Sequence, residues 1–63
     1  MDKVLRIEFC DPMCGHIVEC HHASLKFGVI ITDDLVVFEK PDGERRILPR
    51  MGHSINVEIH DAD

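Results

Sequence analysis

The chain has 63 residues, 44% of them hydrophobic and 30% charged, with twelve acids against seven bases and a formal charge of -5 at pH 7. That length supports a single small domain, 1–63, and the hydrophobic share is too high for a disordered chain. No apolar run approaches the roughly 20 residues of a membrane span, and the acidic balance opposes nonspecific attraction to nucleic acid or anionic lipid.

The opening residues, Met1 to Arg6, mix charges with apolar positions and carry no signal-peptide pattern, so a cytoplasmic location is expected. Val4 to Phe9 then alternates. Leu5, Ile7 and Phe9 fall on one face and Val4, Arg6 and Glu8 on the other, which predicts a half-buried strand.

Asp11-Pro12-Met13-Cys14-Gly15 is a turn signal: Asp accepts local backbone hydrogen bonds, Pro presets φ, and Gly tolerates a positive φ on exit. It closes a hairpin whose second strand follows. The same Asp-Pro pair fits a helix start, with Met13, Ile17 and Cys20 at helical spacing, so a short helix over 12–22 is the alternative. Gly15 and the β-branched pair Ile17-Val18 disfavour it.

Leu25, Phe27, Val29 and Ile31 alternate with Lys26, Gly28, Ile30 and Thr32, which predicts a strand over the whole run. Thr32-Asp33-Asp34 turns the chain into Leu35-Val36-Val37-Phe38, apolar on both faces and expected at the centre of the core. Lys40-Pro41-Asp42-Gly43-Glu44 is a second turn. Arg45 to Leu48 returns as a strand that Pro49 ends or confines to an edge, and Ile55, Val57 and Ile59 mark the last strand. The predicted fold class is all-β: a small antiparallel meander or small barrel of five to six short strands.

All three cysteines and three of the five histidines lie between Cys10 and His22. Cys10-x3-Cys14 followed by Gly15 is similar to a zinc knuckle, and Cys20, His21 or His22, or Cys20 with the distant His53, would complete a tetrahedral set. Geometry works against a purely local site. A hairpin leaves Cys20 about 17–20 Å along the returning strand at ~3.3 Å per residue, so closure needs His53, His60 or a second chain. The plainer reading makes Cys10 and Cys20 small buried hydrophobes and the histidines surface residues.

Nothing specifies a catalytic set, because a Cys–His pair needs spatial adjacency and an orienting third group that spacing alone does not supply. The chain is therefore read as a non-enzyme without a resident cofactor, zinc excepted. Lys40, Arg45, Arg46 and Arg50 form a local basic stretch that could meet phosphates. Alternation sends Arg45 and Arg46 to opposite faces, which favours edge-strand protection over nucleic-acid binding. Asp33, Asp34, Glu39, Glu58, Asp61 and Asp63 could present carboxylates to a basic partner. The sequence thus points to a small acidic interaction or regulatory module that binds a protein partner, with a homodimer through an edge strand as a further expectation. A zinc-stabilised binding domain and a nucleic-acid-binding barrel are its alternatives.

Overall fold

The structure, a computed structural model, describes residues 3–61; Asp63 and the outermost terminal residues lie outside them. The fold is all-β. Six strands follow in order: β1 (Lys3–Cys10), β2 (Ile17–Ala23), β3 (Val29–Ile31), β4 (Leu35–Glu39), β5 (Arg45–Pro49) and β6 (Ser54–Asp61). They make two antiparallel three-stranded sheets, β2-β1-β6 and β3-β4-β5.

Period-two alternation in β1 decides how the sheets meet. Ile7 and Phe9 are fully buried, and with Ala23 of β2 they join Val36 and Phe38 of β4 in one cluster between the sheets. Leu5, Val29, Leu48, Ile55 and Val57 pack around it. Each large side chain removed from water contributes ~1.5–3 kcal/mol, so these few residues supply most of the driving force available to a chain this short. The expectation for β4 holds in part: Val36 and Phe38 are buried, whereas Leu35 is 40% exposed on the outer face.

Turn chemistry sets the hairpins. Asp11 accepts from the Met13 amide at 2.8 Å through Oδ1 and from the Gly15 amide at 2.7 Å through its carbonyl, and Gly15 takes φ +77°. The β1–β2 register slips at Phe9/Cys10, where the pairing steps from Phe9↔Glu19 to Cys10↔Ile17 in a bulge. The helical alternative over 12–22 is not adopted. Extended backbone there gives Ile17–Ala23 a full antiparallel ladder against β1, which a helix would forfeit.

The predicted strand over Leu25–Ile31 is shortened to β3, with a turn at Leu25–Phe27. The Ser24 side chain accepts from the Lys26 amide at 3.1 Å, and the Gly28 amide donates to the Ser24 carbonyl at 3.3 Å with Gly28 at φ +80°. Local side-chain-to-backbone bonding thus overrides an alternating pattern. Strand β2 instead runs on to Ala23, and the Ser24 amide donates to the Glu39 carbonyl at 2.7 Å, tying the first sheet to the second.

Arg50 makes another tie. Its guanidinium donates to the carbonyls of Thr32 at 2.8 Å and His53 at 3.2 Å, and its amide donates to the Asp34 carbonyl at 2.9 Å. Among the described residues no helix is long and apolar enough to cross a membrane.

Candidate functional site

Strand pairing fixes which side chains share a face. On β2, Glu19, His21 and Ala23 stand opposite Phe9, Ile7 and Leu5 and face the second sheet. On β5, Arg46 and Leu48 stand opposite Phe38 and Val36 and face the first. Both β2 and β5 are edge strands, so this side of the molecule is open. A cleft of about 540 Å³ lies there, lined by Cys20, His21, His22, Phe38, Lys40, Pro41, Arg46 and Leu48.

Its lining combines the apolar Phe38, Pro41 and Leu48 with the cations Lys40 and Arg46. The His21 ring sits between two phenylalanines, 5.7 Å from Phe9 and 5.7 Å from Phe38, with Nε2 3.3 Å from the Glu19 carboxylate. Across the opening, one carboxylate oxygen of Glu44, in the β4–β5 turn, lies 2.8 Å from the Arg46 guanidinium and 3.5 Å from the Lys40 ammonium. These cations are 50% and 38% exposed, and such pairs contribute only ~0–1 kcal/mol each. Glu44 is therefore loosely held.

The opposite face of the first sheet carries a polar ladder. Glu8, 9% exposed, lies 3.0 Å from the Arg6 Nε and accepts from the Asn56 amide group at 2.9 Å. The buried Arg6 Nε makes no hydrogen bond, so the contact is ionic. Beyond it, hydrogen bonds from His60 and Asn56 hold the exposed Glu58 carboxyl below its ordinary range.

The expected metal ligands are distributed over this framework. Cys10, half-buried, closes β1 opposite Ile17 and Ser54; Cys14 is exposed in the first turn; Cys20 and His22 are opposite Glu8 and Arg6 on the polar face. His53 lies on the other side, its ring 6.3 Å from Phe9 and its Nδ1 2.8 Å from the Arg50 carbonyl. Cys20 and His22 thus share the outer face of β2 at the rim of the cleft, while Cys14 sits in the first turn and His53 beside the inward-facing Phe9. Among the described residues no three His, Cys, Asp or Glu side chains converge as an ion site.

The basic stretch divides as alternation predicts. Arg45 stacks on the Phe27 ring at 4.6 Å, Arg50 is engaged by backbone carbonyls, and only Lys40 and Arg46 reach the cleft. The carboxylates are equally dispersed: Asp33 and Asp34 sit in the β3–β4 turn, Glu39 ends β4, and Glu58 and Asp61 lie on β6. Sequence reasoning missed Phe38, Pro41 and Leu48 as site residues and named His21 only as a candidate metal ligand. Pairing of Phe38 with Arg46 was readable from the tight turn between them, but nothing local to β2 signals that it borders β5. No protein-family model, characterised protein or solved structure matches the chain.

Proposed function

We propose that the protein is a small non-catalytic binding module that captures an extended, acidic segment of a protein partner along β2. The observation that carries this reading is the cleft itself: apolar side chains and two cations, Lys40 and Arg46, beside an unprotected strand edge, on a chain of net charge -5. The other strands of the cleft side are guarded. Strand β5 carries Arg45, Arg46 and Pro49, residues that discourage edge pairing, whereas β2 has seven residues without lysine, arginine or proline, and Ile17 and Val18 are half exposed.

A segment added to β2 would gain main-chain hydrogen bonds from the edge. Its alternate side chains would point over Phe38 and Leu48, and an acidic one among them would meet Lys40 and Arg46. Affinity and selectivity therefore come from different groups, backbone for the first and cleft for the second.

Hydrogen exchange with and without bound peptide tests this. Short acidic peptides in extended conformation are expected to slow exchange of alternate amides within Ile17–Ala23. Binding that leaves those amides unprotected, or no binding by any acidic peptide, overturns the reading. Concentration-dependent sedimentation of the free chain with the same protection would assign the edge to a second copy instead.

A further inference from the structure

Glu44, in the turn beside the cleft, pairs with both of the cations that line it, Lys40 and Arg46. Its single oxygen Oε1 serves both cations, at 2.8 Å from Arg46 and 3.5 Å from Lys40, and Asp42 touches Lys40 only at 3.8 Å. Two donors therefore converge on one point of space, and the carboxylate fills it with one atom. We infer that this point is a receptor for a phosphoryl group carried on the captured segment, and that Glu44 is the internal counter-ion it displaces. The inference rests on the binding-module reading above and specifies its ligand.

The chemistry favours phosphoryl over carboxylate. Both cations lie within 3.5 Å of one atom, so a tetrahedral dianion there can give each cation its own oxygen. Arg46 presents a planar fork suited to two of those oxygens, while Lys40 acts as a point charge. Glu44 is 55% exposed on a turn, so it can swing into water without disturbing the core.

The counter-ion also sets a threshold. A segment with a weak or distant negative charge must compete with a tethered carboxylate, so unmodified acidic segments bind and phosphorylated ones bind more tightly. Removing Glu44 should then tighten binding rather than weaken it, the opposite of what an ordinary contact residue would do.

The experiment is an NMR titration of the ¹⁵N-labelled full chain with inorganic phosphate, a phosphoserine peptide, and the same peptide carrying serine. Phosphate is expected to shift the signals of Lys40 and Arg46, and the phosphopeptide to bind about tenfold more tightly than the serine form. Glu44→Gln should strengthen phosphopeptide binding several-fold, and Arg46→Gln should weaken it about tenfold with an unchanged melting curve. Equal binding of the two peptides, or indifference to Glu44→Gln, overturns the phosphoryl receptor and leaves strand capture standing. Phosphate binding at Lys40 and Arg46 without peptide binding supports the receptor and overturns strand capture.

Discussion

Met51 is a methionine in a conformation that suits asparagine or glycine. Its φ is +54°, in the left-handed region, and its side chain is 78% exposed, so nothing is gained from packing to offset the backbone cost. Left-handed geometry costs a residue with a Cβ roughly 1–2 kcal/mol, and asparagine suffers less because its short polar side chain bonds locally. Met51→Asn should therefore stabilise the protein by about 0.5–1 kcal/mol, raising Tm by a few degrees in thermal melts. A lowered Tm would mean that the exposed thioether has a contact of its own to lose.

Among the elements, the turns before β4 and before β6 are joined through Arg50. One guanidinium satisfies the carbonyls of Thr32 and His53, and only a forked donor reaches both. Arg50→Lys is expected to cost ~1–2 kcal/mol despite keeping the charge, with faster amide exchange at Thr32–Leu35 and His53. A lysine variant as stable as the parent would show that charge alone suffices. The strands themselves were largely legible: β1, β4, β5 and β6 follow from alternation and from the Pro-Asp-Gly turn. Leu25–Phe27 misled because its alternation is real, yet Ser24 captures the Lys26 amide before a ladder can form. The cleft was not legible, because Cys20–His22 and Arg46–Leu48 are separated in the chain by β3, β4 and their turns and come together only in the cleft they line with Phe38. The dense Cys/His run drew attention to β2, but alternation turns Cys20 and His22 away from the inward-facing His21.

At the scale of the molecule, both sheets depend on one cluster, so they should melt together. A domain of this size has ~3–9 kcal/mol to lose, and deleting a buried phenylalanine ring costs ~3–5 kcal/mol. Phe38→Ala should remove half or more of that stability. Phe38→Leu should fold with a lower Tm and a single transition by circular dichroism and by the chemical shifts of both sheets. Separate transitions for β2-β1-β6 and β3-β4-β5 would show that the cluster does not couple them.

The ladder between β1 and β6 runs the full length of both strands and ends at the Lys3–Asp61 ion pair of 2.6 Å. The two ends of the described chain are thus one joint. Trimming either end opens the same seam, and a bulky fusion at one end loads its opposite number. Because the ends are neighbours, a short linker between them and a cut in the exposed Pro41–Gly43 turn would leave every strand pairing intact. The order in which the strands are written in the chain is separable from the shape they build.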